Sequence, residues 1–189
     1  MPDHTSTVGR IAMPRLPYKP HDGAGPEEIV APIRARRGGT LLNLDRQLLY
    51  SPPLALGWNA LMGAVRTRLE LPAGLREIAI CVVATINRAP YEFLHHAPLL
   101  RAAGASQAQV DALADVDRAL ATPALFDPAE RATIQLALEM TRSVEVADAT
   151  FVAARSALGD DRQLVELVGT IASYNMVSRV IVALGIEPE

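Results

Sequence analysis

Cysteine is nearly absent from this 189-residue sequence, Cys81 being the sole example. A single thiol excludes an internal disulfide framework, a Cys-x-x-Cys redox pair and a thiolate zinc knuckle. It suits a reducing compartment, so a cytoplasmic address is expected. Aromatic residues are also scarce, with three Phe, one Trp and four Tyr. With a formal net charge of −3 and a pI near 5.8, the chain has neither the stacking platforms nor the basic field that nucleic acid requires. No long hydrophobic run is uninterrupted: the most apolar stretch, residues 164–184, contains Glu166, Asn175 and Arg179, so no membrane-spanning segment is expected. The first twenty residues carry Arg10 and Arg15 but no apolar centre, unlike a secretory signal. Hairpin chemistry is missing throughout.

Half of the residues are hydrophobic and 21% are charged, enough for one core without disulfide or metal staples. Six of the fourteen prolines fall within the first 32 residues, which reads as an extended Pro-rich arm over residues 1–24 followed by a single helical domain over 25–189. Helix signals then follow one another closely. Gly25-Pro26-Glu27 opens a short helix that Gly38-Gly39 ends. Ser51-Pro52 supplies a cap and a first-turn proline before Leu54, Trp58, Leu61, Met62, Val65 and Leu69 recur at helical spacing. The apolar run from Ala73 to Arg88 is too long for a typical strand, and Pro90 starts a further helix that reaches Gly104. Ser106 with Gln109, Asp127 with Glu130 and Asp160 with Gln163 have capping-box spacing, and Gly185 closes the last helix. The fold class expected is all-α.

Chemistry-bearing residues gather between positions 77 and 96: Glu77, Cys81, Arg88, Tyr91, Glu92, His95 and His96. Glu92 stands three and four residues before the two histidines, so it shares a helical face with them and is expected to orient an imidazole and raise its pKa. Glu77 lies in an otherwise apolar run, where a bare carboxylate would cost several kcal/mol, so it must be paired, protonated or functional. Cys81 reads as packing. Asn175 and Arg179, one turn apart on the last helix, read either as an internal tie to a neighbouring helix or subunit or, through the arginine fork, as a hold for a substrate carboxylate. No metal site is expected, because no second Glu-x-x-His and no His-Glu-x-x-His pattern accompanies the cluster.

Arg76-Glu77-Ile78-Ala79-Ile80, Tyr91-Glu92-Phe93-Leu94-His95-His96-Ala97-Pro98 and Ala102-Ala103-Gly104 resemble the signature of the carboxymuconolactone decarboxylase family. Glu166-Leu167-Val168 and Tyr174-Asn175-Met176-Val177-Ser178-Arg179 are similar to that family's closing helix, so the likeness runs from about Asn43 to Glu189. The resemblance implies an alkylhydroperoxidase D-like helical bundle that assembles as a homotrimer or homohexamer. That superfamily's site holds a glutamate, a Cys-x-x-Cys pair and a histidine. Alignment on Glu77 and His96 places Ala89 and Glu92 where the two cysteines would stand, so a dithiol peroxidase cycle has no thiols to run on. The implied activity is that of a lyase needing no cofactor, acting on a small carboxylated lactone or related acid. Glu77, Glu92 and His96 are its expected catalytic residues, with His96 as proton donor. Tyr91, His95 and Arg88 are expected to hold the substrate. The alternatives are a thiol-independent, weak peroxidase relative and a non-catalytic oligomer that keeps the fold.

Overall fold

A computed structural model describes residues 14–189, so the first thirteen residues of the expected arm lie outside the described residues. The described chain is helical, without strands: α1 (Glu27–Arg36), α2 (Asn43–Leu48), α3 (Pro52–Thr67), α4 (Ala73–Ile86), α5 (Pro90–Ala102), α6 (Gln107–Leu113), α7 (Val116–Ala121), α8 (Pro128–Arg142), α9 (Asp148–Leu158) and α10 (Asp161–Leu184).

The helix α4 is the axis of the bundle, packed against α5, α8 and α10. Its sequence explains this position: Ile78, Ala79, Ile80, Cys81, Val82 and Val83 are all fully buried, so it is apolar around its whole circumference. Its β-branched run has strand propensity, but neighbours on every side reward a helix, and tertiary packing overrides the local preference. Residues Leu136 and Ala137 of α8 and Leu167 and Ile171 of α10 complete this core. By length and composition α10 could cross a bilayer, yet it packs on α3, α4, α8 and α9 as a core helix.

Local chemistry sets the helix ends. Ser106 and Asp127 each accept a hydrogen bond from the third helical residue, Gln109 and Glu130, whose side chains bond back to the cap nitrogens. Asp160 behaves differently: its carboxylate accepts from Arg162 N rather than from Gln163. Gly159 and Gly185 take left-handed φ values of 69° and 63° and close α9 and α10, a conformation in which any Cβ would be strained.

The described part of the arm lies on its own chain. Arg15 bonds through its backbone and side chain to the carbonyls of Leu184 and Ala183, satisfying the open end of α10. Gln47 Nε2 donates to Leu16 O at 2.7 Å, and the Tyr18 hydroxyl accepts from Glu187 N at 2.9 Å. This segment therefore ties α2 to the last turn of α10, beside the site described below.

Removing the Asp127 cap should leave the fold intact while lowering stability: Asp127→Ala is expected to cost about 1 kcal/mol, the ordinary worth of an N-cap. Urea unfolding followed by circular dichroism checks it, and no change in midpoint would contradict the capping role.

Candidate functional site

The chain from α4 to α5 turns sharply at Arg88, which has a left-handed φ of 54°, and Pro90 then starts α5. This turn brings the inward faces of both helices against α3 and α10. Glu77 leaves the second turn of α4, Arg66 the last turn of α3, His96 the middle of α5, and Tyr174 and Ser178 successive turns of α10. Arg66, His96 and Tyr174 reach the wall of a cavity of about 140 Å³ that also includes Arg36 and Glu92, with Trp58, Met62 and Val177 supplying apolar surface; Glu77 and Ser178 stand behind that wall.

Glu77 is only 1% exposed, and three side chains satisfy it. His96 Nδ1 lies 2.7 Å from Oε2, and Arg66 Nη1 and Arg76 Nε donate to Oε1 at 2.9 and 3.2 Å. Burial would raise its pKa, but the His96 hydrogen bond, together with the charges of Arg66 and Arg76, takes it below its ordinary value. Glu77 is therefore ionised. An ionised carboxylate cannot donate, so His96 Nδ1 carries the hydrogen of that short contact, and Nε2 is the bare nitrogen of the neutral ring. Arg66 Nη1, 3.1 Å from the same Nδ1, is then a neighbouring cation rather than a donor to it. Burial lowers the His96 pKa and Arg66 adds to this, against the pull of Glu77, so the ring is neutral near pH 7.

Glu92 is arranged in the opposite way. Its oxygens lie 3.0 and 3.1 Å from Ser178 Oγ, which is itself 2.8 Å from Tyr174 O. The serine has one hydrogen. Both contacts are satisfied when protonated Glu92 donates to Ser178 Oγ and the serine donates to the Tyr174 carbonyl. Burial favours this form, pushing the Glu92 carboxyl up to about 8. The expectation that Glu92 orients His96 and raises its pKa is thus corrected. The two residues share a face of α5, but Glu92 faces Ser178 on α10 while Glu77, from a different helix, holds the imidazole.

Tyr91 and His95 do line the cavity, but their polar atoms are held by the chain's own groups. The Tyr91 hydroxyl donates to Glu189 Oε1 at 3.2 Å; His95 places Nδ1 at 2.8 Å from Tyr91 O and Nε2 at 2.9 Å from Glu189 Oε2. Arg88 is exposed in the α4–α5 turn and takes no part in the cavity wall, so its expected role in holding substrate is also corrected. Asn175 donates to Thr141 Oγ1 and accepts from Asn87 and Arg179, an internal tie, the first of the two roles expected of it. Cys81 is 0% exposed, and burial followed by the nearby Glu77 and Glu92 pushes its thiol far up, away from thiolate.

Sequence reasoning missed Arg66 and Tyr174. Arg66 donates to the Tyr174 hydroxyl at 3.4 Å, and that hydroxyl's own hydrogen has no acceptor among the described residues. The ring packs edge-on against His96 with centroids 4.9 Å apart. The available signal was an arginine on the apolar stripe of α3, one residue beyond Val65.

Comparison with known proteins agrees with this architecture. Residues 52–126, which span α3 to the turn before α8, match the carboxymuconolactone decarboxylase family. None of the curated proteins matches the sequence. A peroxidase-related protein from Silicibacter sp. TM1040 superposes with a TM-score of 0.76 at 21% identity, covering 93% of this chain and 94% of that one. An alkylhydroperoxidase D core protein from Ralstonia eutropha JMP134 gives 0.76 at 22% identity, covering 93% and 92%. The debrominase Bmp8 in complex with 2,3,4-tribromopyrrole gives 0.73 at 16% identity, covering 97% and 94%. The fold is therefore that of the alkylhydroperoxidase D-like proteins.

The protonated state of Glu92 has a consequence for stability. Its pKa is about 8 when folded against an ordinary 4.5. Between these values the folded state binds more protons than the unfolded one, so stability falls as pH rises. Glu92→Gln keeps a donor for Ser178 and removes the titration, so its melting temperature should decline less than the parent's from about pH 5 to about pH 8. Identical slopes in the two proteins would show that Glu92 is ionised throughout.

Proposed function

We propose that this protein, whose residues 52–126 match the carboxymuconolactone decarboxylase family, is a cofactor-independent, proton-transferring lyase of the decarboxylase type that acts on a small organic acid. The observation that carries the reading is the Glu77–His96 dyad: a neutral imidazole held through Nδ1 by an ionised, buried carboxylate, in a cavity whose wall does not include the only cysteine.

The chemistry follows from the charges. A carboxylate entering the cavity stabilises imidazolium, so the bound anion raises the basicity of His96, which takes up a proton at Nε2. Glu77 holds the opposite nitrogen and offsets the new charge. When the carbon–carbon bond breaks and CO2 leaves, the electron pair moves onto a conjugated carbonyl oxygen. The Tyr174 hydroxyl, with Arg66 behind it, is the donor for that developing oxyanion. Protonation of the carbon by His96 returns the ring to its neutral state. Glu92 stays protonated below about pH 8 and so adds no negative charge to a cavity that must admit an anion.

A redox role is disfavoured on the residues present. The resemblance puts Ala89 and Glu92 where the dithiol enzymes of that superfamily have their two cysteines, and Cys81 is sealed in the core. Assembly as a homotrimer or homohexamer, in the cytoplasm, belongs to the same proposal. Leu54, Leu61, Leu94 and Val165 are exposed on the single chain and give apolar surface for subunit contact.

The test is CO2 release from a panel of small unsaturated lactone acids without added thiol or metal. His96→Gln preserves shape but carries no exchangeable imidazole proton, so kcat should fall about 10²- to 10⁴-fold. Cys81→Ser should retain nearly all activity. Loss of turnover in a folded Cys81→Ser protein, with His96→Gln unaffected, would overturn the reading in favour of thiol chemistry.

A further inference from the structure

The cavity wall has a seam between the start of α2, which contributes Leu42 and Leu44, and α5, which contributes Tyr91, His95 and Leu99. One side chain crosses it. Glu189 Oε1 accepts from Asn43 N of α2 at 2.6 Å and from the Tyr91 hydroxyl at 3.2 Å, and Oε2 lies 2.9 Å from His95 Nε2. The backbone that presents this carboxylate is itself fixed: Ile186 is buried, and Glu187 donates through N to the Tyr18 hydroxyl and accepts through O from Asn43 Nδ2 at 3.1 Å. Asn43 opens α2, so its N–H has no intrahelical acceptor and depends on Glu189.

His95 faces an acceptor on each side. Nδ1 is 2.8 Å from the Tyr91 carbonyl oxygen, and Nε2 faces the Glu189 carboxylate. A neutral imidazole has one N–H, so either tautomer turns a bare lone pair toward an oxygen, and only the imidazolium donates to both. The Tyr91 ring, stacked with its centroid 4.3 Å away, adds a face that suits a cation. Other charges near the pair are committed elsewhere: on α1, Arg37 to Asp45 and Arg36 to Asn59; on α2, Arg46 to Asn43 Oδ1 and the Lys19 carbonyl; on α3, Arg66 to Glu77. On α5, His96 is neutral and Glu92 protonated near pH 7, and α10 brings only Val177, Ile181 and the Tyr174 phenol to the wall. Glu189 is the only carboxylate within ion-pair distance of His95 among the described residues, and both side chains are partly exposed, so protons reach them from solvent.

We propose that Glu189 is a clasp across this seam, closed while His95 carries both ring protons and loosened when it gives one up, so that pH governs entry to the cavity. The closed clasp favours the imidazolium and the imidazolium favours the closed clasp. Closure is therefore complete on the acid side of the His95 titration and is lost as pH rises through it. A clasp of this kind acts on any ligand of the cavity, whatever reaction follows, and so stands apart from the lyase reading.

Its test needs no substrate. Hydrogen exchange of the Asn43 amide, followed by NMR and corrected for the intrinsic rate, reads the clasp. Acrylamide quenching of Trp58, the only tryptophan and part of the cavity wall, reads the opening. From about pH 5.5 to about pH 8, Asn43 protection should fall about tenfold, the worth of one hydrogen bond to a charged group, while Trp58 quenching rises. Glu92 titrates in the same range, so both measurements are repeated in Glu92→Gln, where the change should persist. His95→Gln keeps a donor for Glu189 but does not titrate, and should flatten both profiles. Glu189→Gln should lower Asn43 protection and remove its pH dependence. Profiles that are flat in the parent or in Glu92→Gln, or a slope unchanged in either folded clasp variant, would overturn the proposal. So would a fall in Asn43 protection with no change at Trp58, which would mark a titrating contact that gates nothing.

Discussion

An ionised carboxylate at the centre of a helical bundle costs several kcal/mol unless donors surround it. Glu77 is placed there, on the most deeply buried helix of the protein, and its partners come from three helices: Arg66 from α3, Arg76 from α4 and His96 from α5. That requirement fixes the relative positions of the helices that build the cavity. It also fixes the histidine's tautomer, because a carboxylate acceptor on Nδ1 leaves Nε2 as the nitrogen able to take a proton. The structural constraint and the chemical competence of the site are the same set of contacts.

Around this point the cavity separates two carboxyl groups by environment. Glu77, among cations, is kept charged; Glu92, among apolar side chains and Ser178, is kept neutral. Placing groups of the same type in contrasting surroundings is a familiar way of assigning different proton-transfer roles at one pH. Here the separation is geometric: α10 supplies a hydroxyl but no cation to Glu92, while α3 and α4 supply guanidinium groups to Glu77.

Much of this was legible in the sequence, and the parts that were not share a physical cause. Periodicity, prolines and caps marked α1, α3, α4, α5, α6, α8 and α10, whereas α2, α7 and α9 are short or start without a reciprocal cap and left little local signal. Glu77 stood out because a charge in an apolar run demands an explanation. The pairing of Glu92 with His96 was misread because spacing within a helix reports which residues share a face, not which neighbour from another helix reaches them first. Ser178 lies 86 positions from Glu92, and Arg66 lies 108 from Tyr174. Contacts at such separations are set by how the helices pack, which local periodicity does not encode.

The account depends most directly on the state of one ring. Nitrogen NMR of the protein labelled at histidine, with His96 assigned by comparison with His96→Gln, reports which ring nitrogen carries hydrogen. At pH 7 in the unliganded protein, Nδ1 should be protonated and Nε2 bare, with the ring neutral. A doubly protonated ring, or hydrogen on Nε2 alone, would contradict the dyad from which the proposed chemistry is derived.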